Sequence, residues 1–236
     1  ANKASRDVCA FKINPGGTIN SAGAPVAAGT DPSSIAVHPS GRYVYVTNLI
    51  SEDISAYDYH PTSGVLTPKG ATVPAGAGPN AIAVDPTGKF AFVANAYGTP
   101  GTVSAYKINA GTGVLTSADS KPAGTYPSAI AISPTNRYVY VANYTSGDIS
   151  AYSFDAVSGV LTSLGSAVPA MAGPWSISVD PAGNYVYVVN LNSSTVSALK
   201  INSDGTLASA VTVVGPGPLS EPVSIAVDIT GQFAYV

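Results

Sequence analysis

The stretch Pro32-Ser-Ser-Ile-Ala-Val-His-Pro-Ser-Gly-Arg-Tyr-Val-Tyr-Val-Thr-Asn48 decides the fold, because the chain repeats it. Equivalent stretches open at Pro79, Pro127, Pro174 and Pro222, each 47 or 48 residues after the last. Within each, a short apolar run (35–37 in the first) meets a turn, His38-Pro-Ser-Gly41, and then a Tyr/Val-rich run ending in asparagine. Proline presets φ early in such a turn, and glycine or asparagine accepts positive φ at its end. An Ile-Ser-Ala-Tyr segment (54–57) and a Gly-Val-Leu-Thr segment (64–67) complete the unit. β-Branched and aromatic residues in short runs between turns are strands, and no sustained 3.6-residue period points to a helix. Four strands recurring every 40–50 residues predict a propeller: one such sheet exposes two apolar faces, and radial stacking covers both.

The termini extend the pattern. Residues 222–236 supply strands one and two, and residues 1–31 supply strands three and four. Counted from Pro222 through Val236 and Ala1 to Pro32, the spacing is 46 residues, close to the internal period. The expected architecture is therefore an all-β, five-bladed β-propeller of four-stranded antiparallel blades, a single domain over residues 1–236. Its blades fall at 32–78, 79–126, 127–173 and 174–221, with a closing blade (222–236 plus 1–31) shared by the N- and C-termini. A segment of a longer propeller, or half-blades pairing between molecules, would fit the same ends.

Composition narrows the function classes. Charged residues are 10% of the chain, against about a quarter in ordinary domains. A net charge of −3 without basic clusters lacks the footprint of a nucleic-acid binder. No apolar run reaches the eighteen or so residues of a membrane span. The single cysteine excludes an intrachain disulfide framework and a multi-cysteine metal site.

The segments Tyr43-Val-Tyr-Val-Thr-Asn48 and Tyr138-Val-Tyr-Val-Ala-Asn143, the Asp-Pro-Thr-Gly turn and the Gly-Val-Leu-Thr strand resemble the YVTN-repeat propellers. The lactonase-like branch, typified by 6-phosphogluconolactonase, is especially similar, across essentially the whole chain. The resemblance implies a propeller fold and a lactone-hydrolysing activity. That family is typically seven-bladed, so five units depart from it.

Candidate site residues are sorted by the face on which a propeller places them. Loops joining strand two to three, and strand four to the next strand one, gather on one face around the axis. The remaining hairpin turns lie opposite. His38 and His60 fall in those opposite turns and are expected to be exposed turn residues. Cys9 stands where other units carry serine and is read as a packed side chain. Beside the axis, Ser33-Ser34, Asn80-Ala81, Ser128-Ala129, Trp175-Ser176 and Val223-Ser224 carry no charge, so no catalytic or metal-ligating residue is assigned and no cofactor is expected. Asn2, Asn48, Asn95, Asn143 and Asn190 end strand two in all five units, as loop-bonding amides and candidate ligand contacts. Trp175, Tyr97, Tyr126 and Tyr144 are the candidate aromatic contacts, and Lys3 and Arg6 the loop cations of that face.

These readings favour a rigid extracytoplasmic binding or assembly module for a neutral ligand, a glycan or a peptide segment of a protein partner. A lactone hydrolase with Lys3 or Arg6 holding the substrate anion is the alternative. A structural subunit self-associating through its half-blades is the second.

Overall fold

The computed structural model describes residues 1–213 and 221–236; the exit of the fourth unit, 214–220, lies outside the described residues. All regular structure among the described residues is strand. Four antiparallel sheets follow one another along the chain. The first contains Pro32–Val37, Tyr43–Asn48, Asp53–Tyr59 and Leu66–Pro68, with Val73–Pro74 extending its outer edge. The second contains Pro79–Val84, Phe90–Asn95, Thr102–Ile108 and Leu115–Pro122. The third contains Pro127–Ile132, Tyr138–Asn143, Asp148–Phe154 and Leu161–Ser163, and Val168–Pro169 again extends the edge. Pro174–Val179, Tyr185–Asn190, Thr195–Lys200 and Val211–Val213 form the fourth.

The turn residues act as their chemistry requires. Gly41, Gly88, Asn136, Gly183 and Gly231 end the first hairpin turn of each unit with φ between 56° and 73°, a conformation favouring glycine and tolerated by asparagine. A second left-handed position precedes each anchor proline: Asp31, Gly78, Tyr126, Gly173 and Glu221. Just after that proline the strand register slips by one residue, leaving Ser33, Asn80, Ser128 and Trp175 as bulge residues. Three of them tie neighbouring sheets together near the axis. Ser33 Oγ donates to Pro79 O at 2.7 Å and Ser128 Oγ to Pro174 O at 2.7 Å, while Asn80 Nδ2 donates to Pro127 O at 3.4 Å.

Between the sheets the core is aromatic. Tyr45 and Tyr140, fully enclosed, reach forward so that their hydroxyls donate to Gly113 O (2.8 Å) and Gly205 O (3.0 Å) of the next sheet. Tyr57, Tyr106 and Tyr152 reach backward to Ala27 O, Pro74 O and Pro122 O. The first three sheets are thus held on both sides, and the fourth to the third, by tyrosine hydroxyl bonds added to apolar burial.

The ends correct three expectations. First, the closing blade is not formed by the described strands. Ala226–Val227 pairs with Ala234–Tyr235 alone, Asp7–Val8 with Val26–Ala27, and Phe11–Ile13 with Ile19–Ser21. Tyr235 is 65% exposed, whereas the equivalent Tyr45 and Tyr140 are at 0%. The cause is geometric: repeat spacing measures distance along the chain, but the wedge between sheets is set by the side chains that fill it. Second, strand one of the first sheet is not covered on both faces, because Ile35 and Val37 stay exposed beside the partial terminal sheets. Third, His38 is buried. Its ring lies against the neighbouring sheet, with Nε2 paired to Gly88 O at 2.9 Å and Nδ1 accepting from Ser40 N at 3.1 Å. Asp85 and Asp180, at the same position, cap their own turns instead.

Candidate functional site

The strand two-to-three loops carry the most regular polar feature, a buried amide at the end of each strand two. Asn48 and Asn143, both at 0% exposure, donate through Nδ2 to Asp53 Oδ1 and Asp148 Oδ1 at 2.7 Å, and to Ser55 Oγ and Ser150 Oγ at 2.9 Å. Asn95 makes the same pair of bonds to Thr102 Oγ1 (3.0 Å) and Ser104 Oγ (2.9 Å), and Asn190 to Thr195 Oγ1 and Ser197 Oγ. Exposed Asn2 repeats the arrangement with Asp7 Oδ1 at 2.6 Å and Cys9 Sγ at 3.2 Å. Each asparagine therefore locks the start of its own strand three. Facing them are glycines of the preceding loop: a Cβ at Gly29, Gly76 or Gly124 would run into the side chains of Asn48, Asn95 and Asn143. The amides lie one per sheet, inside the loops and not at a common surface.

The aromatic candidates behave differently. Tyr126 and Tyr144 pack edge to face with ring centroids 5.7 Å apart, and Tyr144 packs edge to face on Trp175 at 5.4 Å. The Tyr97 hydroxyl lies near enough to that of Tyr126 to affect its ionisation. Four aromatic residues from three successive units thus gather on the loop face. Trp175 joins them because it is the bulge residue of the fourth sheet, where a serine or asparagine would have tied to the next sheet. Asn192, absent from the sequence-derived candidates, completes the group by accepting from the Tyr144 hydroxyl at 3.0 Å. Its signal in the sequence was its place, two residues after a strand-two asparagine, where Tyr97 stands in the second unit.

Close backbone approach seats these side chains. A Cβ on Gly78 would come within 2.5 Å of the Tyr97 ring, and one on Gly173 within 2.8 Å of Asn192 Cγ. Burial, followed by the nearby hydroxyls of Tyr97 and Tyr144, raises the pKa of Tyr126 above the usual phenol value. Tyr126 is therefore a protonated donor at neutral pH.

Charged side chains surround this face. Lys3 Nζ lies 3.5 Å from Asp31 Oδ1, so this cation is already partnered, and Arg6 is exposed. Arg42 and Arg137 lie at the opposite end, over the rings of Tyr43 and Tyr138. His60 is exposed, with Nδ1 accepting from Ser63 N at 3.3 Å. Among the described residues no group of three or more His, Cys, Asp or Glu side chains converges as metal ligands do. A cavity of about 380 Å³ lies elsewhere, between the N-terminal strands and the first sheet, lined by Val8, Phe11, Ile35 and Val37 among others. Its mostly apolar lining, with Cys9 and Tyr59 as its polar members, marks the slot beside the partial terminal sheet.

The fold has known relatives. A family model described as "Lactonase, 7-bladed beta-propeller" matches residues 1–78, 51–158 and 100–224. Among solved structures, a proposed 6-phosphogluconolactonase of Bacteroides fragilis is similar, with a TM-score of 0.82 and 20% identity over 95% of this chain and 68% of that one. The periplasmic gluconolactonase of Pseudomonas aeruginosa is similar with a TM-score of 0.76 and 20% identity, over 92% of this chain and 65% of that one. No curated protein matches the sequence. These findings overturn the expectation of a non-enzymatic binding module. That expectation rested on the uncharged axis.

Proposed function

Since this chain belongs to the family of seven-bladed β-propeller lactonases, we propose that it hydrolyses a lactone at the loop face just described. The observation that carries the proposal is the gathering of Tyr97, Tyr126, Tyr144 and Trp175, an apolar floor rimmed by hydroxyl and amide groups. Hydrolysis adds water to the acyl carbon, breaks the bond from that carbon to the ring oxygen, and delivers a proton to the ring oxygen. The Tyr126 hydroxyl, held protonated, donates to the carbonyl oxygen as negative charge develops there. Water attacks the acyl carbon from solvent, and the proton it loses passes through solvent to the departing ring oxygen.

The test follows acid release from D-glucono-1,5-lactone at constant pH. Enzyme-dependent hydrolysis is expected, with kcat lowered about tenfold or more in Tyr126→Phe. Release at the spontaneous rate from both five- and six-membered aldonolactones refutes the reading. The count of five units rests on the repeat spacing. The extracytoplasmic setting rests on the low charge content of the chain, and cell fractionation tests it.

A further inference from the structure

Resting on the lactonase reading, we infer that the substrate is an uncharged sugar lactone and not a phosphorylated one, bound with its ring against Trp175 and Tyr144. Two independent observations carry this. The first is the shape and chemistry of the aromatic group. Trp175, Tyr144 and Tyr126 are each only partly buried and pack edge to face, so part of every ring remains open to solvent. An aromatic face suits the C–H surface of a sugar ring, while the phenol hydroxyls and the Asn192 amide suit its hydroxyls. The glycines at 78 and 173, where a Cβ would strike Tyr97 and Asn192, hold the rim in position by backbone contact.

The second observation is the sign of the field. Along the loops of this face and the strand-three starts that border them stand six carboxylates: Asp7, Asp31, Glu52, Asp53, Asp148 and Glu221. Lys3 and Arg6 are the two cations of the same loops, and Lys3 is paired with Asp31. Lys121, on the nearby outer strand, is paired with Asp119 at 2.9 Å. A phosphate dianion approaching this face meets a net negative potential, whereas a neutral lactone meets none.

The experiment measures hydrolysis of D-glucono-1,5-lactone and of its 6-phosphate by the intact chain, at low and at high salt. The neutral lactone is expected to show the larger kcat/KM, by about tenfold or more at low salt, with the gap narrowing as salt screens the face. Trp175→Phe and Tyr144→Ala are expected to raise KM for the neutral lactone about three- to tenfold with little change in kcat. Trp175 is the sole tryptophan, so its fluorescence reports binding directly. A stable neutral analogue, 1,5-anhydro-D-glucitol, is expected to shift it at concentrations where glucose 6-phosphate does not. Preference for the phosphorylated lactone overturns this inference and leaves the lactonase reading standing. Unchanged KM in both variants overturns the aromatic binding mode. Hydrolysis of neither lactone ends both readings.

Discussion

Replacing Asn143 by aspartate exchanges one donor nitrogen for an oxygen in a site with no solvent contact. In the native protein that nitrogen donates to Asp148 Oδ1 at 2.7 Å and to Ser150 Oγ at 2.9 Å. The substitution removes a bond to a charged acceptor and a neutral bond, and places two carboxylates in contact. Loss of the two bonds and the uncompensated buried charge sum to about 3–5 kcal/mol at pH 7.5. The same substitution at Asn95 supplies its control. There the partners are the hydroxyls of Thr102 and Ser104, which can turn and donate to the new carboxylate. Asn95→Asp is therefore expected to cost about 1–2 kcal/mol, mostly desolvation.

Acidification separates the two further. In Asn143→Asp the carboxyl pair titrates as a unit and one folded-state pKa rises above its unfolded value of about 3.9. A raised folded pKa means that the stability deficit is smallest below the unfolded value and grows as pH rises through the folded one. Urea unfolding at pH 7.5 and pH 5 reads both quantities through the midpoints at constant slope. Equal losses for the two variants at pH 7.5, or a gap that widens on acidification, would refute the view that these amides serve the loops. So would an Asn143→Asp protein of native stability that had lost only activity.

Four further expectations follow from the same packing. Tyr45→Phe removes the hydroxyl bond to Gly113 O and should cost about 1 kcal/mol in urea unfolding, since Phe92 fills the equivalent place without one. Gly113→Ala and Gly41→Ala share a φ near 68°, but only at residue 113 does the new Cβ come within 2.5 Å of the Tyr43 ring. The first should lose about 3 kcal/mol and the second about 1, and equal midpoints would contradict the contact. His38→Ala should cost about 1–2 kcal/mol, with His38→Asp recovering part by capping its own turn as Asp85 does. At Asp119, burial opposes ionisation, yet hydrogen bonds from Lys121 and from the Leu161 and Ser120 amides outweigh it and hold the pKa below the usual value. With a depressed folded pKa, this stabilisation is present above the unfolded pKa and lost as pH falls through the folded one. Asp119→Asn should therefore flatten the acid limb of the stability profile.

Much of the architecture was legible in the chain because it depends on short-range chemistry. Pro-x-Gly turns, Tyr/Val runs and a constant period determine strands, their order within a unit and the repeated sheet, whatever surrounds them. The role of the strand-two asparagines was also accessible, since their partners lie five to nine residues ahead on the same hairpin. Local spacing likewise put Tyr97, Tyr126, Tyr144 and Trp175 on one face. That they touch depends on how three sheets sit beside one another, as does the bond from Tyr144 to Asn192, 48 residues away. His38 was misjudged for the same reason: its partner belongs to the next sheet, 50 residues on. Closure failed most plainly. Whether Tyr235 meets Asp7–Val8 is decided by the angle that large side chains impose between neighbouring sheets, summed around an axis, and a one-dimensional period carries no record of that angle.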